Sequence, residues 1–116
     1  ATRFDALQPQ YSLVCRTIER EHVPLCLEEG VGLIPWSPLG GIRNAAALGD
    51  RHDMFATIAG KHGVSPQQMA LAWELRLAPV VIPIPGASRP ESIEDSVLAP
   101  GIVLTADEMA LLSQAD

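Results

Sequence analysis

Residues 82–96 read IPIPGASRPESIEDS. An apolar run enters a turn at Gly86, and an acidic helical pattern follows. A strand that ends on glycine and opens a helix is an ordinary way to leave a parallel sheet. It is also one way to build a phosphate site, because a helix N-terminus presents free N–H groups to an anion. The rest of the chain decides whether this stretch belongs to a sheet of that kind.

Working upstream, the pattern recurs. Residues 31–36, VGLIPW, read as a buried strand apolar on both faces, as parallel strands are. SPLGG breaks that strand, and residues 42–50 read as a loop or short turn. Residues 5–8 carry the end of a short strand. Residues 18–29 predict a helix, with Pro24 implying a kink or a late start and Gly30 ending it. Residues 52–62 predict a helix with Met54, Phe55, Ile58 and Ala59 inward, closed by Gly63. Ser65-Pro66-Gln67-Gln68 predicts a capped helix start running to Leu77, with Met69, Ala72, Trp73 and Leu77 toward the core. A strand over 80–84 follows, then a helix from Pro90 to Val97. A last helix is capped by Thr105 with Glu108 and carries Met109 and Leu112. Strands alternating with helices mean an α/β fold with a parallel sheet and right-handed crossovers.

The whole chain bounds the function. Its 116 residues suit one small domain, and 47% apolar with 19% charged residues is a globular composition. A net charge of −6 argues against broad nucleic-acid or anionic-membrane binding, and no apolar run approaches the roughly 20 residues that span a bilayer. Cys15 and Cys26 form no CxxC pair and read as reduced, buried thiols, which suits the cytoplasm. No metal-ligand spacing is present. The chain opens on Ala1 and enters a folded pattern at once, which reads as a piece of something longer.

Ligands of parallel α/β folds gather at the carboxyl ends of strands. Two such ends stand out. At the first, Trp36 closes a strand before Ser37 and Pro38, and Gly40 and Gly41 allow close backbone approach. Trp36 can stack on a flat ring, or it can be a core side chain under a tight turn. At the second, Ser88 can cap a helix, in a box with Glu91, or bond a phosphate oxygen. Arg89 can be a phosphate fork or a solvated surface residue. One extended ligand with a ring and phosphates could use both ends.

The stretches ALQPQYSLVCRTIERE, GVGLIPWSPLGG, HGVSPQQMALAW and PIPGASRPESIED resemble, in order, the C-terminal part of an aldo-keto reductase. The resemblance covers nearly the whole chain. It implies a (β/α)8 TIM barrel that binds NADPH and reduces small carbonyl substrates, aldehydes or ketones. Residues 1–116 would then be a single partial domain, strands six to eight with their helices. The resemblance implies that Gln8 bonds the nicotinamide carboxamide and Trp36 stacks on the nicotinamide ring. By the same resemblance Ser37, Pro38 and Leu39 would run along the pyrophosphate. Gly86, Ser88 and Arg89 would match the adenosine-phosphate end, with Arg89 expected to meet the 2′-phosphate. Ser92, Asp95 and Ser96 stand where the family commonly has Gln, Glu and Asn facing adenine.

Three departures accompany it. The family's catalytic Asp, Tyr, Lys and His precede strand six, and none of those motifs is present, so no catalytic residue is assigned. His22, His52 and His62 read as surface or satisfied helical residues. The segment IRNAAALGD is shorter than the stretch that folds over the cofactor in many members, and Ser96 replaces an asparagine. A barrel cut open would expose two sheet edges, which predicts self-association or poor solubility. The alternative to a reductase is a non-catalytic nucleotide-binding or assembly module.

Overall fold

The computed structural model describes residues 2–48 and 52–114. Two short strands, β1 (Ala6–Leu7) and β2 (Gly32–Leu33), pair in parallel, with Ala6 opposite Gly32 and Leu7 opposite Leu33. The pairing continues past the strand ends, where Ile34 N donates to Leu7 O at 2.8 Å and Trp36 N to Pro9 O at 3.0 Å. Residues 80–84 run along the other side of β2. Leu33 N donates to Val80 O and Ile82 N to Leu33 O, both at 2.8 Å, and Ile84 N to Pro35 O at 3.3 Å. The predicted strand over 80–84 is therefore a single parallel bridge, Leu33 with Val81, and not a full ladder. Pro83 and Pro85 have no N–H to give, which limits what the segment can pair.

Helices cover one face. In chain order they are α1 (His22–Glu29), α2 (Ile42–Ala45), α3 (Asp53–His62), α4 (Pro66–Leu77), α5 (Pro90–Ser96) and α6 (Ala106–Gln114). Short 3-10 turns occupy Thr17–Glu19 and Ala99–Gly101. The helix expected over 18–29 is two pieces, because Pro24 falls in the first turn of α1, where a missing N–H costs nothing. Gly30 and Gly63 end α1 and α3 in left-handed conformations, φ 65° and 68°, that a side chain would strain. The loop expected over 42–50 includes the short helix α2, and residues 49–51 lie outside the described residues. Ser65 caps α4 by accepting from Gln68 N at 3.0 Å.

The core lies between the covered sheet face and α3, α4 and α6. Met69, Ala72, Trp73, Phe55, Ile58 and Leu112 are buried as expected, while Leu77 and Met54 pack at its margin. Trp73 stacks near Tyr11, with centroids 6.2 Å apart, and Phe55 meets it edge-on at 5.8 Å. Arg16 lies 5.2 Å from the Trp73 ring, donates to Ser113 O at 2.7 Å and pairs with Glu19 at 2.7 Å. Trp73 Nε1 donates to Ser113 Oγ at 3.1 Å. This set ties the segment after β1 to α4 and α6. Cys26 is buried, and Cys15 is only half-buried, correcting the expectation of two buried thiols; both are free.

The opposite sheet face is uncovered. Leu33 and Val81 point into the core, so their neighbours alternate to the other side. There Trp36, Ile82 and Ile84 remain 43%, 55% and 42% exposed. Among the described residues no helix is long and apolar enough to cross a membrane.

Candidate functional site

β2 ends at Leu33, and the chain continues extended to Trp36 before turning. Ser37 takes φ 52°, the left-handed region, and Gly40 N closes the turn on Ser37 O at 2.9 Å. A serine held there costs about 1 kcal/mol relative to a relaxed conformation. Gly40 follows at φ 79°, and a Cβ on it would stand 3.0 Å from both Asn44 Cβ and Val14 Cγ2, so glycine is required. Asn44 Nδ2 donates to Gly40 O at 2.8 Å, and Gln67 Nε2 donates to Ala45 O at 2.7 Å. The short segment after the turn is thereby fastened to the start of α4.

The second strand end leaves the sheet at Ile84 and passes through Gly86 to α5. A Cβ at Gly86 would meet no atom within 4 Å. The fold does not need glycine there, and the space beside it is open to a ligand. Ser88 makes no cap. Arg89 is the N-cap residue of α5, no side chain caps the helix, and the predicted box with Glu91 does not form. With only seven residues α5 carries a short dipole, so the phosphate end expected there rests on side chains.

These two ends border one open groove of about 870 Å³. Ser37, Pro38 and Leu39 line one wall; Gly86, Ser88, Arg89, Ser92, Asp95 and Ser96 line the other. Nine residues expected to act together from distant parts of the chain thus face a common space. Trp36 and Gln8 are exposed on the sheet and do not line this groove, although Trp36 directly precedes its first residue. By the strand register Gln8 and Trp36 share the uncovered sheet face, since Gln10 bridges Trp36 and lies two residues from Gln8.

Charge and hydrogen bonding qualify the site. Arg89 is the cation among the described lining residues, with Glu91 and Asp95 as carboxylates. Asp95 is already engaged: its Oδ2 accepts from Ser65 Oγ at 2.5 Å and its Oδ1 from Gln68 Nε2 at 3.2 Å. Gln68 does not reach back to cap its own helix as the capping-box spacing predicts; it spends its amide on Asp95. Sequence reasoning also passed over Gln67. Its role depends on a contact with a residue 22 positions away, for which no local pattern exists.

The histidines stand apart from the groove lining. His62 pairs with Glu108 at 2.9 Å, joining α3 to α6, while His22 is exposed on α1. Tyr11 donates to Glu19 Oε1 at 2.6 Å and is fully buried. Burial, then the bond to Glu19, push its phenol far above the usual range. Burial pushes the Glu19 carboxyl up, but bonds from Arg16 and Tyr11 outweigh it and hold it low. Among the described residues no group of three or more His, Cys, Asp or Glu could hold a metal ion.

Parallel strands, helices packed on one face and a groove at successive strand ends define an α/β fold of the (β/α)8 type, present in part. The chain belongs to the Aldo/keto reductase family, whose model matches residues 1–116. A probable aldo-keto reductase 1 of Glycine max is 31% identical over 95% of this chain and 39% of its own length. Versiconal hemiacetal acetate reductase of Aspergillus parasiticus is 29% identical over 97% of this chain and 40% of its own length. An aldo/keto reductase of Klebsiella pneumoniae, solved with NADP and acetate, superposes with a TM-score of 0.84 at 29% identity. It covers 94% of this chain and 38% of that one. A Klebsiella pneumoniae aldo-keto reductase solved with NADPH gives 0.81 at 30% identity, covering 92% of this chain and 37% of that one. The chain therefore spans about two-fifths of the length of these relatives.

Proposed function

We propose that residues 1–116 supply the cofactor-binding side of an NADPH-dependent reductase of aldehydes or ketones, with the catalytic tetrad carried by elements outside this stretch. The groove shared by Ser37–Leu39 and 86–96 carries this reading. The NADP and NADPH complexes of the similar enzymes support it. The donor set fits such a cofactor: an exposed indole beside one end, a guanidinium at the other, serine hydroxyls between, and open space at Gly86.

In this assignment Gln8 bonds the nicotinamide carboxamide, and Trp36 covers one ring face so that the other is left for the substrate. Ser37, Pro38 and Leu39 run beside the pyrophosphate. Gly86, Ser88 and Arg89 hold the adenosine-phosphate end, and Ser92 and Ser96 face the adenine. NADPH, when bound, supplies the hydride that a carbonyl carbon accepts. The proton must come from a general acid of suitable pKa. Tyr11 does not meet that requirement, because its hydroxyl is buried against Glu19 and its pKa is shifted upward.

Titrating NADPH against the tryptophan fluorescence of the full-length polypeptide tests the reading. Quenching of the exposed Trp36, absent in Trp36→Leu, is the expected result. Unchanged emission at millimolar cofactor would remove it.

The uncovered sheet face supports a second reading, that the chain assembles with another copy. Trp36, Ile82 and Ile84 leave an apolar face and two strand edges open to pairing.

A further inference from the structure

α5 borders the groove but has no visible means of being held there by burial. None of its residues, Pro90–Ser96, is buried, and no side chain caps it. Short helices in proteins draw their stability from packing an apolar face, and α5 buries no residue fully, its Ile93 staying 45% exposed. The hydrogen bonds that attach it to α4 centre on Asp95. Asp95 accepts from Ser65 Oγ at 2.5 Å and from Gln68 Nε2 at 3.2 Å, and its backbone carbonyl accepts from the same Nε2 at 2.8 Å. Both carboxylate oxygens are thus occupied by donors on the first turn of α4. Gln68 is 4% exposed, so its amide is a fixed anchor, and Ser65 is itself held as the cap of α4. Hydrogen bonds to an ionised acceptor are about twice as strong as neutral ones.

We propose that Asp95 is a positioning residue: it pins α5 to α4 and so sets where Arg89, Ser92 and Ser96 stand along the groove. The ligand it organises for is the adenosine 2′,5′-bisphosphate end of a dinucleotide, and that part rests on the function proposed above. This differs from a role as a direct adenine contact, because Ser65 and Gln68 do not line the groove. Removing the Gln68 amide would harm binding through α5, whereas removing Ser65 would also uncap α4.

The test uses the full-length polypeptide with Gln68→Met, Asp95→Ala and the pair combined. Gln68→Met keeps the buried volume and deletes the donor. Two quantities are read: amide hydrogen exchange over residues 90–97 without ligand, and the Kd for 2′,5′-ADP. We expect Gln68→Met to speed exchange over 90–97 by about tenfold, as loss of an anchoring bond would, with residues 69–77 unchanged. Affinity for 2′,5′-ADP falls several-fold, and the double variant loses less than the product of the two single losses, because the Gln68 bond to the Asp95 backbone carbonyl survives in Asp95→Ala. Unchanged exchange over 90–97 in Gln68→Met overturns the proposal, and so do losses that multiply in the double variant. If Asp95→Ala does not fold, Asp95→Asn takes its place, because it keeps one acceptor and removes the charge. Failure of the wild-type protein to bind 2′,5′-ADP overturns the nucleotide reading and the ligand half of this proposal. The exchange measurement then still decides whether Asp95 holds α5.

Discussion

Glu74 lies within α4 with no exposed surface, and neither carboxylate oxygen has a hydrogen-bond partner. Burial pushes its pKa from 4.5 up to about 9. Its folded pKa is raised, so the native state binds a proton that the unfolded chain gives up. Its contribution to stability is then full below pH 4.5 and is lost as pH rises toward 9. The loss over that window is on the order of a few kcal/mol. Glu74→Leu should raise the melting temperature at pH 8 and flatten its decline between pH 5 and 8. Parallel pH profiles for the two proteins would contradict this. Arg89 is the other residue whose replacement discriminates. If it meets a 2′-phosphate, Arg89→Ala weakens NADPH by roughly tenfold or more, the scale of a charge-assisted bond, and leaves NADH nearly unaffected. Equal losses for both cofactors would remove the assignment. Glu74 and Gln67 escaped the sequence reading for one reason: a lone Glu or Gln on a helix looks like a solvated face until its neighbours are known.

Among the elements, α6 shows how much a local pattern can settle. Thr105 Oγ1 accepts from Glu108 N at 3.1 Å, and Glu108 Oε2 accepts from Thr105 N at 3.0 Å. The box was legible from the spacing of Thr and Glu alone, because each partner bonds a backbone group three residues away. The bond from Thr105 N and the contact with His62 hold the Glu108 carboxyl below its usual range. Thr105→Ala should cost about 1 kcal/mol, or about 4–8 °C in melting temperature for a domain of this size. A melting curve that superposes on that of the parent would show the cap to be idle. The neighbouring helix α5 is the contrast. Its existence was legible, and its missing cap was not, because the helix begins one residue later than Ser88 capping requires.

For the whole molecule, the consequential feature is a sheet covered on one side. A strand apolar on both faces implies two covers, and here Leu33 is fully buried while Trp36, Ile82 and Ile84 stay about half exposed. If the chain assembles with another copy, light scattering after size exclusion should report a mass above the 12.4 kDa of one chain. Ile82→Lys should lower that mass by placing a charge on the uncovered face. A compact monomer at all concentrations would count against assembly.

By itself the sequence determined the parallel α/β class, the helix ends at Gly30 and Gly63, the capped starts at Ser65 and Thr105, and, through its ordered motifs, nine of the residues that line the groove, though not Gln67. Each of these follows from periodicity, backbone chemistry within a few positions, or ordered motifs. Only the tertiary structure decided that 80–84 pairs through one bridge, that Asp95 is held by Ser65 and Gln68, and that Tyr11 is sealed against Glu19. Those outcomes depend on which distant groups arrive within 3 Å of one another, and a hydrogen bond's partner is set by that arrival and not by the residue's own neighbours in the chain.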